Sequence, residues 1–257
     1  MLLINKLLKK RNEILNYVYL YVYLCFHHKY LTKTSDAALF VLGEIDGSFC
    51  VKELLSLIIK EYVFVGQICF SLVILGIFQF FLWNFSNFRR KIFHIYFYLI
   101  FVIYTIKKLD VFCVFLHVFL ILSCFCSKYI PETEYFLSFF VNENDVYKKV
   151  KSHNIFMLCI LVIYEKYKTK YTSKKILIQM ISPICILDTF TSISKDFKKV
   201  KEKTKYDFLL GICANILFNY MFTGETKFLF VVLCGVIEYF ASFFDNIALT
   251  AFILLMY

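Results

Sequence analysis

Long apolar runs separated by short polar stretches dominate this chain. A helix needs about 20 apolar residues to cross a bilayer, and the clearest run of that kind is Tyr62–Phe85. Further apolar runs cover Ile92–Ile106, Val111–Cys126, His153–Tyr164, Ile176–Ile193, Phe208–Phe222 and Phe228–Tyr257, with Ile14–Tyr30 as a weaker candidate and Ala37–Ile59 as an interfacial one. Barrel strands alternate in polarity over about ten residues, whereas these runs are continuously apolar. The pattern therefore predicts an all-α, polytopic transmembrane helix bundle of about seven or eight spans.

Composition strengthens the membrane interpretation. Of 257 residues, 60% are hydrophobic and only 19% are charged, which is too little polar surface for a soluble enzyme of this size. The ten cysteines do not form a zinc pattern, because most lie inside apolar runs and Cys124 and Cys126 have no second pair. No small-residue cleavage site follows the first apolar stretch, so a cleavable signal peptide is not expected.

The net charge is +10, carried by lysines that are dispersed between the apolar runs. Dispersed lysines argue against a nucleic-acid-binding face and favour loops near anionic headgroups or an anionic substrate. The densest group is the run of six lysines between Lys195 and Lys205, which follows the apolar run Ile176–Ile193. Such a run is usually a solvated loop, but beside buried acids it could hold nucleotide phosphates. Glycine-rich phosphate loops are absent from the sequence.

Three carboxylates fall inside or beside apolar runs: Asp188, Glu238 and Asp245. A charge at membrane depth costs about 2.5–3.5 kcal/mol on insertion scales, so it needs a compensating partner. Glu238 and Asp245 are seven residues apart, which on one continuous helix places them on one face about 10.5 Å apart along the axis. Either the acids pair with lysines or hydroxyls and only lock helices together, or they form a pocket for Mg²⁺. On the residues alone, a transporter, a lipid-modifying enzyme and a structural membrane protein all remain open.

Four separated motifs resemble those of one family. Arg90–His94 reads R-K-I-F-H, like R-K-x-F-H, and Phe140–His153 contains F-V-N-E-N-D and a later S-H, like F-x-D-E-R-D with a later T-H. Asp188–Ile193 reads D-T-F-T-S-I, similar to D-T-x-A-S-I, and Glu238–Ile247 fits E-x6-D-N-[LI]. The motifs and their order resemble the polyprenol kinases, above all the dolichol kinases. The match covers about two thirds of the chain, from Arg89 to Tyr257.

The resemblance implies an N-terminal membrane region over residues 1–86 and a kinase-like catalytic core over residues 87–257. The implied activity is phosphoryl transfer from CTP to dolichol or another polyprenol, with Mg²⁺ as cofactor, in a multi-pass protein of the endoplasmic reticulum membrane. The implied catalytic residues are Asp188, Asp245 and Glu238, with Asp188 and Asp245 as metal ligands. Residues Lys199, Lys203 and Thr204, with Arg90 and His94 from a neighbouring span, are the implied nucleotide-binding set. The family's K-K-T-x-E-G loop is reduced here to Lys203-Thr204.

Two alternatives accompany this hypothesis. The first is a related CTP-dependent kinase acting on diacylglycerol or another prenol. The second is a non-catalytic membrane transporter or scaffold, in which the intramembrane charges form an ion path or pair helices.

Overall fold

The computed structural model describes residues 58–82, 86–129, 152–192, 204–241 and 245–257. These residues are helical apart from short connections, and they contain no strand. The helices are α1 (Tyr62–Phe81), α2 (Ser86–Ile103), α3 (Ile106–Tyr129), α4 (Ser152–Lys170), α5 (Lys174–Ser182), α6 (Lys205–Thr223), α7 (Phe228–Phe240) and α8 (Asp245–Met256). The predicted all-α fold class is confirmed.

Two compact units make up the chain. The first comprises residues 1–81 and 110–165, and the second comprises residues 82–109 and 166–257. The division into a membrane region and a catalytic core at residue 87 comes from the motif resemblance and stays a prediction.

One described helix, α1, is long and apolar enough to cross a membrane. Its mean hydropathy is 2.2, and only 11% of its apolar stretch is buried within the described protein. Three shorter apolar helical stretches cover Lys91–Ile103, Phe228–Phe240 and Asp245–Met256. The described residues thus contain one clear candidate span, and the predicted number of seven or eight is not shown.

Helix α5 continues into a π-helical segment, Pro183–Leu187, and a final α-helical turn, Asp188–Phe190. Proline has no amide hydrogen, so Pro183 cannot donate to the Gln179 carbonyl, and the Ser182 hydroxyl donates to that carbonyl instead, at 3.2 Å. The Asp188 amide then donates to the Pro183 carbonyl five residues earlier, which defines the wider π turn. This local widening sets the direction in which the Asp188 side chain leaves the helix.

The π segment lies at the centre of the second unit. It packs against α2, α6, α7 and α8, and the side chains from Ile184 to Leu187 are fully buried. Because every helix that carries a site residue contacts this segment, side chains distant in sequence meet around its carboxyl end.

Helix α6 has clear stop and start signals. At its start Thr204 and Asp207 form a capping box, in which the Asp207 amide donates to the Thr204 hydroxyl and the Thr204 amide donates to the Asp207 carboxylate. At its end Gly224 adopts a left-handed conformation with φ of 74°, which a residue without Cβ tolerates without strain.

The apolar run Phe228–Tyr257, predicted as one span, is instead two helices. Helix α7 ends at Phe240, and Ala241 leaves the helical region with φ of −79° and ψ of 88°. Helix α8 starts at Asp245, where the acidic side chain accepts from the Asn246 amide at 2.8 Å. Neither glycine nor proline marks this break, and the only local signal is the pair Asp245 and Asn246, which favours a helix start.

Other element boundaries also differ from the expectation. The polar stretch Lys107–Asp110 lies between two of the apolar runs, yet it is helical and belongs to α3. The lysine-rich stretch from Glu165 to Lys175, between the next two runs, is mostly the end of α4, and only residues 171–173 are non-helical. Lysine and glutamate are good helix formers, so these polar positions extend the helices.

Candidate functional site: a carboxylate cluster beside Lys91 and His94

Asp188 is a buried acid of the second unit that forms close contacts with two basic side chains. Its side chain is 1% exposed, and its Oδ1 forms a salt bridge with the Lys91 ammonium group. The other oxygen, Oδ2, lies 3.1 Å from Nδ1 of His94. Lys91 and His94 are three residues apart on α2, so both project from one face of that helix onto Asp188. Lys91 thus places a positive charge, and His94 a ring nitrogen, directly beside the buried carboxylate.

Glu238 reaches the same place from α7. It is fully buried, and its Oε1 accepts a hydrogen bond of 3.3 Å from the Thr191 hydroxyl. The hydroxyl of Ser192 donates to the Asp188 carbonyl at 2.8 Å, which is a side chain-to-backbone bond within the same turn. The turn that follows Asp188 thus holds Glu238 beside it.

Asp245 completes the cluster because the helix breaks before it. One carboxylate oxygen from each of Asp188, Glu238 and Asp245 lies within 4.8 Å of the other two. The expected separation of about 10.5 Å between Glu238 and Asp245 along one helix was wrong, since the chain turns at Ala241 and brings α8 back toward α7. Asp245 is the half-buried member, so the cluster is accessible from its side.

The cluster is compatible with a divalent cation. Opposite ligands around Mg²⁺ are about 4.2 Å apart, and around Ca²⁺ up to about 5 Å apart, as their bond lengths require. A spread of no more than 4.8 Å is therefore compatible with either cation, given small side-chain movements or a bridging water. All three oxygen ligands are of the hard type that both cations prefer.

The backbone approaches the cluster closely at Gly211 of α6. A Cβ atom there would overlap the Cγ2 methyl of Thr191 and lie 3.2 Å from the Leu187 carbonyl oxygen. Only glycine lets α6 pack at this distance against the turn that carries Asp188 and Thr191. In this packing the Thr191 hydroxyl lies 3.3 Å from Oε1 of Glu238 and 3.2 Å from the Asp188 carbonyl oxygen.

The expected nucleotide-binding residues are only partly placed. His94 joins the cluster, whereas the hydroxyl of Thr204 is used in the capping box of α6. Arg90 lies on α2, but its side chain is outside the described part of the structure, and Lys199 and Lys203 lie outside the described residues altogether. The motif Phe140–Asp145 also falls outside them.

Two residues of the site were not among the expected ones. Lys91 and Thr191 both stand inside motifs of the resemblance, yet neither was assigned a role. For Lys91 a signal existed, because its spacing of three residues from His94 places both on one helical face. For Thr191 the contact with Glu238 depends on tertiary packing and has no sequence signal.

No family model, curated protein or solved structure matches the chain. The conclusion about function therefore depends on the geometry of the carboxylate cluster and on the motifs that supply it.

Proposed function

We propose that this protein is a CTP-dependent lipid-alcohol kinase that phosphorylates dolichol or a related polyprenol. The observation that carries the proposal is the convergence of Asp188, Glu238 and Asp245 beside Lys91 and His94. Three of the four motifs that resemble polyprenol kinases supply these residues, from helices far apart in sequence. Chance motif matches would have no reason to meet at one point of the fold.

The chemistry of the cluster suits phosphoryl transfer. This reaction mainly requires alignment of the two oxygens and neutralisation of the phosphate charge. A divalent cation held by Asp188 and Asp245 would neutralise phosphate oxygens, and Glu238 would support both ligands. Lys91 contributes positive charge, and His94 a ring nitrogen, directly beside Asp188. Lys199, Lys203 and Arg90 remain the proposed additional phosphate ligands.

The membrane setting is part of the proposal. Apolar side chains project outward from α1 and from the second unit, including Val73, Leu217 and Leu229, which are 60%, 55% and 70% exposed. A soluble protein seldom exposes so many large apolar side chains together. We place these surfaces in lipid, within a polytopic bundle of about seven or eight spans in the endoplasmic reticulum membrane.

The test is a phosphotransfer assay with the purified protein in lipid nanodiscs. With γ-labelled CTP, Mg²⁺ and dolichol, the wild-type protein should produce labelled dolichyl phosphate. Asp188→Asn and Asp245→Asn should each lower kcat by about 100-fold or more, because each removes a charge that acts on the transferred group. The matched control is Glu225→Gln, since Glu225 is an exposed acid whose partner is Lys175, at 3.8 Å. This control should keep wild-type activity.

The outcomes separate the alternatives. Labelling of diacylglycerol or a short prenol without dolichol would favour a related CTP-dependent kinase. Labelling from ATP but not from CTP would contradict the proposed donor.

A second function is favoured by one observation, the buried salt bridge between Lys91 and Asp188. In a scaffold or transporter, the sole role of such a pair would be to join α2 to the end of the π-helical region. Two results together would exclude the kinase proposal and leave this structural role: the folded protein labels no lipid alcohol, and charge-removing variants of the cluster still restore growth of a cell that lacks the protein.

A further inference from the structure

Helix α6 carries a line of small and polar residues on its buried face. Gly211, Asn215, Asn219 and Thr223 follow one another at intervals of four residues, so they lie along one side of the helix. Asn215 is 0% exposed and Asn219 is 2% exposed. Two fully buried amides in an apolar helix are costly unless their polar atoms are all hydrogen-bonded.

At the Thr223 end of this line, the polar side chains have hydrogen-bond partners within the protein. The Thr223 hydroxyl donates to carbonyl oxygens of Asn219 and Glu225, and Gln179 donates to the Thr223 hydroxyl at 3.4 Å. Gln179 in turn accepts from the Tyr257 hydroxyl at 3.2 Å. At this end of α6 the protein itself satisfies its polar groups.

The Asn215–Asn219 pair is different. The side-chain amide of Asn219 donates to Oδ1 of Asn215 at 2.8 Å, and this is the one hydrogen bond between the two side chains. Within the described part of the chain, Nδ2 of Asn215 and Oδ1 of Asn219 have no hydrogen-bond partner. One donor and one acceptor are thus left on two side chains one helical turn apart, and exchanging the two amide orientations would again leave one of each.

We infer that Asn215 and Asn219 bind one hydroxyl group, which accepts from the Asn215 amide and donates to Oδ1 of Asn219. A hydroxyl is the smallest common group that offers both an acceptor and a donor from a single atom. Each buried amide atom without a partner carries a substantial penalty, which such a group removes.

The position of the pair relates it to the carboxylate cluster. Asn215 lies one turn, or about 6 Å along the axis, beyond Gly211. Gly211 is the residue that packs against Thr191, which donates to Glu238. A hydroxyl bound at the pair is therefore located about one turn of α6 beyond the residue that contacts Thr191.

Tyr98 also packs against α6. It follows His94 by four residues on α2 and packs edge-on against Phe218 and Phe222 of α6, with ring centroids 5.9 Å apart in both cases. Its side chain is fully buried, and its hydroxyl has no hydrogen-bond partner among the described residues. The contact of α2 with α6 thus contains a further buried hydroxyl beside the asparagine-bearing helix.

Two sources offer this chemistry: a buried water, and the terminal hydroxyl of a lipid alcohol. The lipid source rests on the proposed function, whereas the water source does not. The test measures binding without nucleotide, so its failure is separate from a failure of phosphoryl transfer.

The experiment is a thermal-shift comparison of a polyprenol with its methyl ether, which lacks the donor hydrogen. With the lipid source, the alcohol should raise the unfolding midpoint of the wild-type protein by about 5 °C or more at saturation, and the ether should not. Asn219→Leu, which keeps the branched shape of the side chain but removes its polar atoms, should abolish the difference. Thr223→Val is the matched control one turn away on α6 and should retain it.

A high-resolution experimental map of the wild-type protein shows whether a water molecule occupies the hydroxyl site. An ordered oxygen bridging Asn215 Nδ2 and Asn219 Oδ1 without added alcohol would support the hydroxyl site with water as its occupant. Two results would contradict the lipid source: no difference in unfolding midpoint between alcohol and ether, or a difference that survives in Asn219→Leu. If the map also lacks the bridging oxygen, either result overturns the inference. The map and the wild-type comparison need no variant, so a misfolded variant does not block the test.

Discussion

At the scale of single residues, Asp188 shows how a buried charge is made tolerable. The cost of removing a carboxylate from water is several kcal/mol, and Lys91 and His94 compensate it through direct contacts. The same contacts raise the cost of losing either partner, because the remaining charge stays buried.

Lys91→Met should therefore lower the free energy of unfolding by about 3–5 kcal/mol, since it leaves the Asp188 carboxylate without its ammonium partner. The double variant Lys91→Met/Asp188→Leu should recover most of this loss. Denaturant unfolding in detergent micelles measures both. If Asp188 acts in phosphoryl transfer, the double variant should recover stability but not kinase activity. If the pair is purely structural, the double variant should recover both.

The control for this prediction is Lys175→Met, which breaks the exposed pair between Lys175 and Glu225. Solvent screens such a pair, so the variant should change stability by less than about 1 kcal/mol. An equal effect of Lys91→Met and Lys175→Met would show that the Lys91–Asp188 pair is not buried in solution.

At the scale of elements, two irregularities form the site: the π segment that follows Pro183 and the helix break after Phe240. The first directs Asp188 toward α2, and the second returns Asp245 to Glu238. Helix α6 closes the arrangement because Gly211 permits a close approach to Thr191. Regular helices with the same residues would hold the acids farther apart.

Gly211→Ala should destabilise the second unit by about 1–3 kcal/mol, because the added methyl overlaps the buried side chain of Thr191. It should also lower any activity of the site, since Thr191 positions Glu238. Thermal unfolding and the phosphotransfer assay measure the two effects.

Gly66→Ala is the matched control in α1, where a Cβ atom would meet nothing within 4 Å. There the better helix propensity of alanine should leave stability unchanged or raise it by up to about 1 kcal/mol. If both substitutions stabilise the protein, α6 does not approach the Asp188 turn as closely as described.

At the scale of the whole molecule, the described residues expose many large apolar side chains and bury several polar ones. Large apolar side chains cover the outside of α1, while Asp188, Glu238, Asn215 and Gln179 are buried. This distribution is the one expected where hydrocarbon surrounds the protein, because every buried polar group must then find a partner inside.

Val73→Lys tests the membrane placement of α1. Val73 is 60% exposed near the middle of that helix. A lysine there should disfavour insertion by about 2.5–3.5 kcal/mol, which glycosylation-site mapping on both sides of the helix would detect as reduced spanning. Val73→Leu should insert like the wild-type helix, and equal insertion of Val73→Lys would argue that α1 does not span the bilayer.

The sequence by itself determined the helical class and most helix positions, since continuous apolar runs leave few alternatives. It also identified Asp188, Glu238 and Asp245, because a carboxylate in an apolar run has an obvious energetic cost. It could not determine which side chain compensates that cost. Lys91 and Thr191 became partners of the acids only when α2, α6 and α7 packed around the π segment.

Tertiary structure alone decided the distance between the acids. Helical periodicity placed Glu238 and Asp245 two turns apart, but the break at Ala241 brought their carboxylate oxygens to within 4.8 Å of each other and of Asp188. No glycine or proline marks this break, and across it α8 packs against α7 and the π segment. Local sequence sets which conformations a segment can adopt, whereas long-range contacts select among conformations of nearly equal energy.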